Sequence, residues 1–314
     1  MTNKMIRQVY GSRPGFRTAT IKGTARCLAP LSEFDQIKIA AEYIQRKIGD
    51  RKIEVIVTLG SGLGDLAGQI ENPITIPYSE IPCFPHPNNT VAGHAGNLIV
   101  GSLNGKCVAA MQGRFHLYQG VTPNEAVRPV RTLIHLGASA FIVTNAAGGI
   151  NRNFKVGDFM LITDHFNLTF TNPLTGNNID ELGPRFPGMT NPYSRKLRDL
   201  AVQIAREQGI VPRIRYGVYG QNLGPAYETA FEIRLLREGG IDAIGMSTVP
   251  EVVAAAHTNA GRETPRVKIL GITLITNAAA GGSSEPTHEE VKEAADNAKA
   301  AFVPFIAEII RRVS

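Results

Sequence analysis

Short runs of β-branched and small apolar residues recur along this chain, and nearly every one breaks off into glycines or polar residues. Val55-Ile-Val-Thr-Leu59 runs into Gly60; Cys107-Val-Ala-Ala-Met111 into Gln112-Gly113; Ala140-Phe-Ile-Val-Thr-Asn145 into Ala-Ala-Gly-Gly149. The pattern repeats after Val218, Gly245 and Thr276. Such runs read as buried strands. Helical stretches lie between them: from Ser32, from Pro123 to Leu136, from Ser194 to Gln208, from Thr229 to Arg237, through His257, and from His288 to the end. Ser32 and Thr122 are placed to cap, Pro123 sits in a first turn, and Gly239-Gly240 is a stop. Leu98-Ile-Val-Gly-Ser-Leu103 and the run from Lys106 form a hairpin through Asn104-Gly105. This alternation implies a single α/β domain, a twisted, mixed but mostly parallel β-sheet flanked by helices. If the strand ends gather at one sheet edge, their polar groups converge there.

One such end is dense in chemistry. Gln112-Gly-Arg-Phe-His-Leu-Tyr-Gln-Gly120 holds Arg114, whose planar fork suits phosphate oxygens, with His116 and Tyr118. Alternate positions would put the three on one face. Gly60-Ser-Gly-Leu-Gly-Asp65 is a second anion-friendly loop, equally readable as a structural turn, and it lacks the third glycine of a dinucleotide fingerprint. Residues 73–97 and 164–193 read as long loops.

Charge is placed unevenly. Residues 1–32 hold six basic residues and no acid, and the remainder carries 27 of each sign. The basic balance therefore belongs to the first segment and is no argument for nucleic acid binding by the body. Residues 1–31 read as a basic tail without stable fold, a transit peptide or the product of a start codon placed too far upstream, and residues 32–314 as the folded domain. Cys27, Cys83 and Cys107 form no C-x-x-C pair, which fits reduced thiols in an intracellular protein. No apolar run approaches the length that spans a bilayer. Gly245-Met-Ser-Thr-Val249 lacks the last glycine of a serine-hydrolase elbow, and no His/Cys spacing suits a metal.

Taken in order, eight segments resemble the trimeric purine nucleoside phosphorylases, whose family includes methylthioadenosine phosphorylase. They are Gly60-Ser-Gly-Leu-Gly64, Gly93-His-Ala-Gly96, Gly113-Arg-Phe-His-Leu-Tyr118, Thr144-Asn-Ala-Ala-Gly-Gly149, Gly224-Pro-Ala-Tyr-Glu-Thr229, Gly245-Met-Ser-Thr-Val-Pro-Glu251, Ile275-Thr-Asn277 and His288-Glu-Glu-Val291. The resemblance covers about residues 33–314. It implies that fold and the phosphorolysis of 6-oxopurine nucleosides such as inosine and guanosine to free base and ribose 1-phosphate. By resemblance, Ser61, His94, Arg114, His116, Ser247 and the Ala146 N–H hold phosphate. Tyr118 and Met246 meet the ribose, and His288 its 5′-hydroxyl. Tyr227, Glu228 and Asn277 hold the base, with Asn277, Glu228, His116 and His288 as the catalytic set. Phe186 reaches a neighbouring subunit's site in a homotrimer. Inorganic phosphate is a co-substrate, and no metal or organic cofactor, nucleic acid or membrane is called for. The cytoplasm is the expected location, with organelle targeting by the tail left open.

An amide at Asn277 tolerates a 6-oxo group, where relatives that prefer 6-amino purines carry Asp. Two departures stand out: Gln119 replaces the usual Glu, and Gly220-Gln-Asn222 replaces a more apolar stretch. The alternatives are a methylthioadenosine phosphorylase and a non-catalytic nucleoside-binding protein of the same fold.

Overall fold

The computed structural model describes residues 31–60, 64–87, 95–279 and 288–313. Of the segment read as a tail, 1–30 lies outside the described residues. The expected helices form: α1 (Glu33–Ile48), α2 (Pro123–His135), α3 (Arg195–Glu207), α4 (Ala230–Glu238), α5 (Val249–His257) and α6 (His288–Arg312). Their starts are as the sequence implies. The Ser32 hydroxyl accepts from the Asp35 N–H, and Thr122 and Glu125 form a reciprocal capping box around Pro123.

Nine strands make one sheet: β1 (Val55–Leu59), β2 (Glu71–Pro77), β3 (Asn97–Leu103), β4 (Lys106–Gln112), β5 (Ala140–Gly149), β6 (Phe159–Asn167), β7 (Ile214–Gln221), β8 (Ala243–Gly245) and β9 (Lys268–Ala278). The order is β2-β3-β4-β1-β5-β8-β7-β6-β9, and β5 also pairs with β9. Strands β5 to β9 thus close on themselves, while β2, β3, β4 and β1 extend from β5 as an open half. Five of the nine described pairings are parallel, so the sheet is mixed with only a slight parallel majority.

Side-chain alternation sorts the core into two layers. Ile56, Ala109, Met111, Phe141 and Val143 pack on the face covered by α1, α2 and α5. Val55, Val57, Val108, Ala110 and Ile142 pack on the face covered by α3 and α6. Both faces are buried, which is why the strands read as continuous apolar runs.

Two local readings need correction. Within the 73–97 loop, Glu71–Pro77 is a strand; it is the sheet's outer strand, where Asn72-Pro73 and Pro77 are tolerated because one edge needs no partner. The loop after β6 starts late, because Asp164–Asn167 continues the strand beside β7. The segment after Gly60 ends in a 3₁₀ helix, Gly64–Gln69.

Candidate active site

Strand β8 runs antiparallel to β5, with Gly148 opposite Ile244 and Gly149 opposite Ala243. Its end is therefore delivered back toward the middle of β5, and the turn Met246-Ser247-Thr248 lands beside Asn145. The Asn145 Nδ2 donates to Thr248 Oγ1 at 2.8 Å. Thr248 has φ +86° and ψ −51°, which a β-branched residue adopts at a cost of about 1–3 kcal/mol. Its partners hold it there: Asn145, Arg114, and Gln221, whose Oε1 accepts from the Val249 N–H at 2.8 Å as α5 begins.

Arg114 leaves the end of β4 and points into this turn. It is only 5 % exposed. Its Nη1 donates to Ser247 Oγ at 3.1 Å, Thr248 Oγ1 at 2.9 Å and Glu251 Oε2 at 3.1 Å, and its Nη2 donates to the Thr144 carbonyl. The Thr58 hydroxyl reaches the other Glu251 oxygen at 3.5 Å. Burial pushes the Glu251 carboxyl above the usual range, and the Arg114 guanidinium pulls against that shift. A fixed guanidinium and a serine hydroxyl at the head of a buried helix form an anion cradle.

Arg114, His116 and Tyr118 are brought together, though not by strand alternation, because β4 stops at Gln112 and a 3₁₀ turn spans Leu117–Gln119. That turn stacks the His116 and Tyr118 rings at 4.7 Å. Gln119 accepts from the His116 N–H at 2.7 Å, so its amide fixes this turn. Burial pushes the Tyr118 phenol up to about 12, with Arg114 opposing.

Beyond the arginine, Tyr118 and Met246 meet at Gly224. A β-carbon on Gly224 would stand 2.5 Å from Met246 Sδ and 3.1 Å from Tyr118 Cδ1, and the residue has φ +74°. Only glycine fits there. The polar residues that break the expected apolar stretch act at this point. Gln221 caps α5, and Asn222 donates through Nδ2 to Glu228 Oε1 at 3.0 Å while its N–H bonds the Gly245 carbonyl. Glu228 is thereby oriented from the β7–β8 side. Tyr227 is half exposed and lies within electrostatic reach of the Tyr118 phenol.

Asn277 sits near the end of β9, with the Thr276 hydroxyl donating to its Oδ1 at 3.0 Å. Its Nδ2 lies 3.5 Å from where a Gly148 β-carbon would be, so the bare backbone of β5 leaves room beside it. A cavity of about 730 Å³ opens there, lined by Gly149, Phe154, Ala230, Arg234 and Asn277 among others. Ala146 lies within β5, half buried and paired with Leu274.

Ser61 and His94 lie outside the described residues; so does the side chain of His288, whose backbone opens α6. Phe186 is 89 % exposed and packs with Arg185, and no described contact joins it to the other site residues of this chain. The sequence reading passed over Thr248, Glu251, Gln221 and Asn222, whose roles depend on contacts across the fold. It also passed over Phe170, which is 93 % exposed with φ +54° on a turn that Asn167, Thr169 and Thr171 tie together. Phe170 is an aromatic held in a strained turn and left in solvent.

Residues 54–311 match the phosphorylase superfamily. The chain is 48 % identical over 279 residues to "Purine nucleoside phosphorylase 1" of Geobacillus stearothermophilus, covering 88 % of this chain and 97 % of that protein. Among solved structures, Schistosoma mansoni purine nucleoside phosphorylase in complex with inosine superposes with a TM-score of 0.83 at 38 % identity, covering 90 % of this chain and 99 % of that one. The same enzyme in complex with adenosine gives the same TM-score, identity and coverage.

Proposed function

The chain belongs to the phosphorylase superfamily, among its purine nucleoside phosphorylases, and from that premise we propose that it cleaves 6-oxopurine nucleosides with inorganic phosphate. The observation that carries this reading is the buried Arg114 aimed at Ser247 and Thr248 at the head of α5. Phosphate bound there by Arg114, Ser247 and His116, with Ser61, His94 and the Ala146 N–H, would face a sugar lying over Met246 beside Tyr118. His288 would meet the 5′-hydroxyl.

Cleavage leaves positive charge on the ribose and negative charge on the purine. The phosphate stabilises the first and then attacks the anomeric carbon. An Asn277 Nδ2 donor stabilises the second, and Thr276 supports it by engaging the opposite end of the amide. Glu228, steadied by Asn222, accepts from a purine N–H, and Tyr227 packs on the base. The scheme calls for no metal or organic cofactor.

Homotrimer assembly belongs to this proposal. Two exposed aromatics support it, Phe186 and Phe170, and either could complete a neighbour's site. Cytoplasmic location also belongs to it; among the described residues no helix is long and apolar enough to cross a membrane. The test is hypoxanthine release from inosine with and without phosphate, with adenosine alongside. Release that does not need phosphate would mean a hydrolase, and the role given to Arg114 would fall.

A further inference from the structure

Arg114 arrives at its site already engaged. Its Nη1 carries two hydrogens and faces three acceptors, Ser247 Oγ, Thr248 Oγ1 and Glu251 Oε2, while Nη2 is committed to the Thr144 carbonyl. Of these partners Glu251 alone is charged. The ion pair is closed off from solvent, with the two side chains 2 % and 6 % exposed, so it is not screened as a surface pair would be. The described hydrogen bonds to the carboxylate come from Arg114, the Thr58 hydroxyl and the Thr248 N–H. Gln119, on the turn beside the cradle, is neutral.

We propose that Glu251 is a resident counter-anion of the phosphate site, a positioning residue that sets how tightly phosphate and the sugar phosphate product are held. It rests on the reading of Arg114 as the phosphate ligand. Glu251 pairs with the Arg114 charge before any anion arrives. Incoming phosphate takes over the Ser247 side of Nη1 and shares the guanidinium with Glu251. The carboxylate repels it from behind, so affinity is given up and exchange is kept. In a reversible phosphorolysis that matters at both ends, because ribose 1-phosphate has to leave through the same contacts.

A purely structural role for Glu251 and this charge role predict opposite signs. Glu251→Gln keeps the shape and an oxygen for Arg114, and the Thr58 hydroxyl can accept from the new amide. The experiment is steady-state kinetics with phosphate varied at saturating inosine, together with calorimetric titration of sulfate, a non-reacting anion, into wild type and variant. The expected result for Glu251→Gln is a phosphate KM lower by at least about tenfold, the scale of removing one charge within about 12 Å at an effective dielectric of about 20. Sulfate binding should tighten by a similar factor and kcat should hold or fall as product release slows. A phosphate KM that is unchanged or higher, with sulfate binding unchanged or weaker, overturns the proposal. Should that variant fail to fold, Glu251→Asp keeps the charge but draws it back from Arg114. Tightening there supports the counter-anion role, and loosening overturns it. If wild type shows no phosphate-dependent turnover, the functional reading fails, and the sulfate titrations still decide the charge role of Glu251.

Discussion

The two halves of the sheet are built to different standards. The open half, β2-β3-β4-β1, is regular away from its edge strand, where β2 bulges against β3 and Asn72 stands at φ +48°. Its inner strands alternate between the two cores, the β3–β4 turn uses Asn104-Gly105 with φ +51° and +81°, and its edge is marked by prolines. The closed half, β5 to β9, buries polar groups and strains its backbone. Thr248 stands at positive φ, and Asn145 Oδ1 and Thr273 Oγ1 are buried with no hydrogen-bond partner among the described residues. The open half holds the molecule together. The closed half spends stability to fix a constellation of side chains, as strained sites do.

The sharpest way to break that division is Arg114→Ala. It should lower phosphate-dependent turnover by about a hundred- to a thousandfold. It should also cost stability, about 3 kcal/mol, because Glu251 would be left buried without its cation. Steady-state kinetics and denaturant unfolding measure the two effects, and a loss of activity with full stability would show that the pair is not a folding element. Ile56→Ala, in the middle of the open half, should do the reverse. About 2–4 kcal/mol of stability should go, while kcat/KM per folded molecule stays at the wild-type value. Altered kinetics in that variant would mean that the halves are coupled.

Asn277→Asp should leave stability nearly untouched and move the ratio of adenosine to inosine turnover upward by about tenfold, since a 6-amino group donates where a 6-oxo group accepts. An unchanged ratio would remove Asn277 from the specificity argument. Phe170→Ala and Phe186→Ala separate two exposed aromatics. In the proposed homotrimer, substitution of the aromatic that completes a neighbour's site should raise the KM for inosine severalfold, and the other variant should behave as wild type.

The smallest effect belongs to a surface cluster with better ion-pair geometry than Arg114–Glu251. Glu308 accepts from Arg311 and Arg312 at 2.6–2.7 Å, and Arg312 also pairs with Glu207. Bonding to Arg311 and then Arg312 holds the Glu308 carboxyl down near about 2. A depressed carboxyl stabilises the fold above its unfolded pKa, so this contribution is present at neutral pH and fades as pH falls from about 4.5 toward 2. Screening keeps it to about 1 kcal/mol or less, so Glu308→Gln should shift melting slightly at pH 7 and not once the pH has fallen below about 2.

What the sequence made legible follows the same division. The strands and caps of the open half were readable because apolar runs and capping residues are local signals; only β2 was missed, since its two prolines are compatible with a strand only at an edge. In the closed half the motifs stood out by residue type, yet their wiring did not. Gln221 and Asn222 looked like departures from the family pattern, and in the fold they cap α5 and orient Glu228. Glu251 sat in a motif without a role because its partner, Arg114, comes from the end of β4. No periodicity reports a contact of that span.

The return of β8 against the end of β5 has a consequence for how activity is acquired. Gly149 pairs with Ala243, and Thr144, Asn145, Arg114 and Thr248 meet only once that pairing exists. The hairpin β3–β4 and the helices rest on near neighbours in sequence and can form early, whereas closure brings together segments separated by a large loop entropy. On refolding from denaturant, far-ultraviolet dichroism should recover before phosphate-dependent turnover does. In the interval the chain would be largely structured and catalytically silent.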